Sequence, residues 1–316
     1  MQSWTGFEKG VNLGGWLSQC DYTKQHMDTF IVEDDIKLIA SWGADHVRLP
    51  IDFNIIENSD GTYSAEGFGY IDKALKMAMK NRLNLVIDLH KTAGFSFDYG
   101  EKESGFFESE ALQERFYRLW EVIAQRYGSF YENVAFEILN EVTDEVYISA
   151  WNRISYQCIK RIRMYAPKTF ILVGSCHNNS ATTVNALEKP YDDKVIYNFH
   201  CYEPLPFTHQ GATWAPTINP NDRMSYDHSG CDEQFFEELF ASAIETAKKN
   251  GTMLYCGEYG VINKATPDDT VKWYKSINAI FKKYGIGRSA WSYKKMDFGL
   301  VDDNLDDVRS ELIKLL

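Results

Sequence analysis

The run "VAFEILNE" (residues 134–141) decides how this chain folds. Phe136, Ile138 and Leu139 make a short apolar stretch, suited to a strand covered on both faces. The stretch then closes on Asn140 and Glu141. An unpaired carboxylate is costly to bury, or it shifts its pKa until it neutralises. Glu141 therefore reads as an acid placed where its proton is held near neutral pH.

Seven further runs share the pattern: "GVNLGGWL" (10–17), "DHVRLPI" (45–51), "LNLVIDLH" (83–90), "TFILVGS" (169–175), "VIYNFHCY" (195–202), "TMLYCGEYG" (252–260) and "IGRSAWSY" (286–293). Each is short, as expected of parallel strands sandwiched between layers. Helical periodicity fills the intervals 31–42, 68–80, 111–127, 146–165, 235–248, 270–283 and 305–316, with a weaker helix at 180–188. Val32, Ile36, Ile39 and Ala40 form the first stripe, and Gly43 is placed to cap it. Eight alternations of strand and helix, joined by right-handed crossovers, close most simply into an α/β (β/α)8 TIM barrel. A single domain over residues 1–316 follows, since no linker or low-complexity tract interrupts the pattern. A doubly wound open sheet would call for GxGxxG near its first strand, which "NLGGWL" is not.

Composition narrows the function. The net charge of −12 argues against nucleic acid or an anionic membrane as partner. No run of apolar residues is long enough to span a bilayer. Aromatics reach 15%, and such rings suit flat ligands such as sugars. Six cysteines without metal-ligand spacing read as free thiols, with Cys158 and Cys256 as small core residues. "MQSWTGFEKG" lacks the features of a secretory signal, so the expected location is the cytoplasm, or outside the cell as a mature form. A monomer without cofactor or bound metal is expected.

In a barrel, the active site lies at the carboxyl ends of the strands. Arg48, His90, Asn140, Glu141, His200, Tyr202, Glu258 and Trp291 all fall there, contributed by six strands. The long connections 91–107 (Phe95, Phe97, Tyr99, Phe106, Phe107) and 203–232 (Phe207, His209, Trp214) lie on the same side. Strands four and seven face each other across such a mouth, so Glu141 and Glu258 oppose each other. Two opposed carboxylates are what glycoside hydrolysis requires, one as proton donor and one as nucleophile or base. Strict alternation would send Asn140 and Glu141 to opposite faces, so a twist or bulge is expected where that strand ends. Glu137 reads as a structural partner for a basic neighbour.

The motifs "HVRLP", "VIDLH", "FEILNE", "YNFHCYEP" and "YCGEYG", between "NLGGWL" and "AWSYKKMDFG", together resemble glycoside hydrolase family 5, the retaining cellulase-type barrels. The resemblance implies an endo-β-1,4-glucanase acting on a polysaccharide or oligosaccharide, mixed-linkage β-glucan included, without a cofactor. It implies Glu141 as general acid/base, Asn140 holding the substrate 2-hydroxyl, and Glu258 as nucleophile. Arg48 and Tyr202 would contact Glu258, His90 and His200 would shape the site, and Trp291 would underlie a donor-side sugar. Trp214 resembles an acceptor-side aromatic, and Lys294, Lys295 and Asp297 would bind the outer donor sugar. The family more often has GEFG where this chain has Tyr259.

Other readings compete with this one. The same catalytic set serves mannan, glucomannan, xyloglucan and xylan. A metal-dependent hydrolase using His90, His177, His200 and His209 would normally show HxH or HExxH, and neither occurs in the expected places. A non-catalytic carbohydrate-binding barrel would usually have lost a carboxylate, and both are kept.

Overall fold

Eight parallel strands form in chain order: β1 (Gly10–Asn12), β2 (His46–Asp52), β3 (Asn84–Lys91), β4 (Val134–Glu137), β5 (Phe170–Gly174), β6 (Val195–Cys201), β7 (Leu254–Tyr259) and β8 (Gly287–Ala290). Each pairs with the next, and β1 pairs with β8, so the sheet closes into the expected barrel. This computed structural model describes residues 2–98, 100–101 and 103–316; Tyr99 of the long third-strand loop lies outside the described residues.

Strand alternation divides the apolar residues into two layers. Val47, Leu49, Leu85, Ile87, Phe136, Ile171 and Phe199 join the large core between sheet and helices. Residues of opposite parity (Val86, Ala135, Leu172, Ile196 and Tyr255) meet inside the barrel as its floor. Trp4 and Phe7, stacked at 4.1 Å, close that floor from below. One step higher, the same inward positions turn polar: Arg48, Asp88, Glu137 and Asn198, all fully buried. The interior thus changes from apolar floor to charged mouth.

The surrounding helices start where sequence chemistry starts them. Ser64, Ser109, Asp232 and Thr266 each accept a hydrogen bond from a first-turn N–H through the side chain. Helices Glu233–Asn250 and Pro267–Tyr284 end at Gly251 and Gly285, whose φ values of 69° and 67° suit glycine. The expected helix over 180–188 is instead a 3-10 helix, Ala181–Ala186. Its Thr-Thr-Val-Asn content is a poor α-helix former, and Ser180 caps only a short turn. Among the described residues no helix is long and apolar enough to cross a membrane. The six cysteines are unpaired.

Candidate active site

Arg48 organises the mouth from the inward face of β2. Its five N–H donors all find acceptors. Nε and Nη2 form a bidentate pair with Glu137 at 2.7 and 2.8 Å. Nη1 donates to Asn12 at 2.9 Å and to Glu258 at 2.7 Å, and Nη2 also reaches Asn140 Oδ1 at 2.7 Å. Asp88 lies 3.0 Å from the same nitrogen. Glu137 is thus the partner of a basic neighbour. Asn12, Asp88 and Asn198 complete this layer but were not singled out as site residues from sequence. Their signal was present, since Asn198 shares parity with His200 on β6, and Asp88 with His90 on β3.

A break in register places Glu258. Along β6 and β7, Phe199 pairs with Cys256 but His200 pairs with Glu258, so Gly257 is the extra residue of a bulge. Only glycine fits there without displacement: a Cβ would lie 2.9–3.0 Å from Asn198 and His200 side-chain atoms. The Gly257 N–H donates to Asn198 Oδ1 and its carbonyl accepts from Asn12 Nδ2, both at 2.9 Å. Glu258 Oε2 accepts from the Tyr202 hydroxyl at 2.8 Å, while Arg48 holds Oε1.

Glu141 reaches the same space because β4 stops early. Its ladder ends at Glu137, and residues 138–140 bend away. The Ile138 N–H bonds the Leu172 carbonyl of β5, whereas the Asn140 N–H bonds the Leu89 carbonyl of β3. That departure from a regular strand lets Asn140 and Glu141 both face the mouth. Glu141 Oε1 lies 2.7 Å from His200 Nδ1, and Oε2 accepts from Asn178 Nδ2 at 3.1 Å. Asn140 is buried and its Nδ2 has no partner among the described residues, leaving one donor group free for a ligand.

Oxygens of Glu141 and Glu258 and a ring nitrogen of His200 all lie within 4.8 Å of one another. Such a trio could ligate a cation, but Arg48, Tyr202 and Asn178 already contact these carboxylates. His177 and His209 do not converge with it. His177 is half-exposed beside Glu145, and His209 packs against Tyr202, Trp214 and Phe298. Burial pushes His209 down to about 4, which keeps it neutral.

The mouth is lined by rings on the β8 side. Trp291 and His90 lie parallel with centroids 5.8 Å apart, and Phe97 meets His90 edge-on at 4.8 Å. Trp214 stands at the rim, 46% exposed, its indole N–H donating to Asp297 at 2.9 Å. Asp297 is thus bonded to Trp214, while Lys294 takes a different carboxylate. Lys294 is tied to Asp35 at 3.2 Å and sits over Phe30.

Charge in this space is finely opposed. Burial would raise the Glu258 carboxyl, but His200, Arg48 and His90 outweigh it and hold the group down at about 2. Burial disfavours charged imidazoles, yet Asp88 leaves His90 raised, and Glu258 with Glu141 leaves His200 raised. Burial also raises Glu137 against the pull of Arg48. The arrangement supplies one carboxylate kept ionised by cations and a second carboxyl beside it, facing a space with a free amide donor and aromatic walls.

A closed barrel presenting such a pair at its carboxyl-terminal mouth has the form of a glycoside-cleaving enzyme. The family described as Cellulase (glycosyl hydrolase family 5) matches residues 5–297, and the chain belongs to it. It is 59% identical over 290 residues to cellodextrinase A of Ruminococcus flavefaciens, spanning 92% of this chain and 86% of that protein. It is 38% identical over 338 aligned positions to endoglucanase C of Acetivibrio thermocellus, covering 98% of each. Its fold resembles that of the endoglucanase Cel5A from the hyperthermophilic Thermotoga maritima, with TM-score 0.82, 26% identity, and coverage of 98% and 97%. The protein is a glycoside hydrolase of the endoglucanase type.

Proposed function

We propose that the protein hydrolyses β-1,4-glucan chains and mixed-linkage β-glucan with retention of anomeric configuration. The observation that carries this is the spacing of Glu141 and Glu258, whose nearest oxygens lie within 4.8 Å. Retaining glycosidases keep their carboxyls about 5–5.5 Å apart, whereas inverting enzymes leave roughly 6.5–9.5 Å for a water.

Glu258 is the nucleophile: its depressed basicity keeps it ionised, and Arg48 and Tyr202 hold both oxygens while it attacks the anomeric carbon. Glu141 protonates the departing glycosidic oxygen. It then removes a proton from the water that attacks the glycosyl-enzyme, so the bond made to Glu258 is broken and the β-anomer released. Asn140 Nδ2 holds the 2-hydroxyl, and Trp291 underlies the donor ring. Relatives named cellodextrinase and endoglucanase support glucan as the polymer. The greater identity to the cellodextrinase favours short chains as a second reading.

Reducing ends and viscosity should be followed on cello-oligosaccharides, carboxymethylcellulose, barley β-glucan, glucomannan, xyloglucan, mannan and xylan, with proton NMR recording the first anomer formed. Cleavage of the glucans with the β-anomer appearing first is expected, and Glu258→Gln should lose roughly four or more orders of magnitude in kcat. An α-anomer first would overturn the mechanism. Cleavage confined to mannan or xylan would overturn the substrate.

A further inference from the structure

Three successive residues after β5 carry left-handed backbone: His177, Asn178 and Asn179, with φ of 52°, 53° and 60°. L-residues rarely adopt this region, and Asn tolerates it best. The turn is nonetheless firmly built. Asn179 is buried, and its Oδ1 accepts the Ser175 N–H at 3.0 Å. Its side chain fills the space beside Gly174 that a Cβ would occupy, 2.4 Å away. Strained backbone that the surroundings fix in place points to a use for what it presents.

What it presents is Asn178. The Asn178 N–H bonds the Val142 carbonyl at 3.0 Å, and its side-chain Nδ2 donates to Glu141 Oε2 at 3.1 Å. His177 adds a 3.4 Å contact to Glu145 on the same β4 loop. The turn after β5 thus grips the loop after β4 at Glu141 and just beyond it, at Val142 and Glu145. His200 takes the other oxygen of that carboxyl, so the plane of Glu141 is fixed from two directions.

We propose that Asn178 is a positioning residue for the proton-transfer step, its amide orienting the Glu141 carboxyl. This rests on the reading of Glu141 as acid/base. A donor to Oε2 stabilises the ionised form. It also leaves Oε2 a defined direction along which its proton can leave. The other titratable groups facing Glu141 are His200 from β6, Glu258 from β7 and Tyr202 beyond them.

The test uses Asn178→Gly, which keeps the left-handed backbone and deletes only the amide, and Asn178→Asp, which keeps the shape and reverses the polarity. Each is assayed for kcat/KM against pH on a cello-oligosaccharide and on 2,4-dinitrophenyl cellobioside, whose leaving group departs without a proton. On the oligosaccharide, kcat/KM should fall roughly tenfold or more in the glycine variant. The alkaline limb should move to higher pH, further in the aspartate variant. On the dinitrophenyl substrate kcat/KM should stay within about twofold. Equal loss on both substrates, or an unmoved alkaline limb, would overturn the proposal. Glu141→Ala serves as the control. If it spares the dinitrophenyl substrate and azide restores its turnover, the acid/base reading stands whatever Asn178 does; if both substrates are lost alike, that reading itself fails.

Discussion

The Tyr202 hydroxyl donates a 2.8 Å hydrogen bond to Oε2 of Glu258, from a residue just past the end of β6 to one inside β7. It is one of the contacts that hold the carboxyl low, alongside His200, Arg48 and His90. Removing it lets the carboxyl move back toward the ordinary range near 4.3. Tyr202→Phe should therefore shift the acid limb of the kcat/KM profile upward and lower the plateau roughly tenfold. A limb that stays in place would show that Glu258 does not set it.

Stability should depend on pH in two windows of opposite sign. Glu258 is depressed, so its contribution is present above about 4.3 and lost as pH falls toward about 2. His90 and His200 are raised, so their contribution is complete below about 6.5 and lost as pH climbs through their folded values. Calorimetry across pH 3–9 is expected to show Tm highest between these windows. Asp88→Asn removes the charge that favours protonated His90, and should flatten the alkaline decline. A Tm that rises steadily from pH 6 to 9 would contradict this account.

Gly257→Ala tests the bulge. The new methyl would press on Asn198 and on His200 Nε2 at about 3 Å, both buried and unable to retreat far. Overpacking of this kind costs about 1–3 kcal/mol. Denaturant unfolding should show that loss, with activity falling further because Glu258 shifts. A variant of unchanged stability and activity would mean the bulge relaxes freely.

Asn140→Ala removes the free amide donor and leaves Arg48 one acceptor short. Contacts to the sugar 2-hydroxyl strengthen in the transition state and supply several kcal/mol. The expected loss in kcat/KM is about 100-fold on a glucoside, and much smaller on its 2-deoxy counterpart. Equal losses on the two would place Asn140 elsewhere than at the 2-hydroxyl.

Apolar runs with period two and stripes with period 3.6 are local, and so the eight strands, most helices and the barrel itself were legible in the sequence. The ends of those strands also displayed Arg48, His90, Glu141, His200 and Glu258 as polar residues where apolar ones were expected. Less legible were residues whose role depends on what lies across the barrel. Asn12 and Asn198 take partners from distant strands, and Asn178 sits in a stretch with no periodicity. Lys294 and Asp297, three apart in sequence, take partners from different elements, Asp35 in the helix Glu33–Ser41 and Trp214 in the connection after β6.

Sequence by itself determined the order of elements and which strand ends carry chemistry, because alternation and apolar burial act over a few residues. Only the tertiary structure decided which atoms meet. Arg48 and Glu258 lie 210 residues apart and touch at 2.7 Å because β1 pairs with β8 and closes the ring. The early end of β4, the bulge at Gly257 and the left-handed turn at Asn178 answer to that closure, since each adjusts a backbone to neighbours that local sequence does not contain.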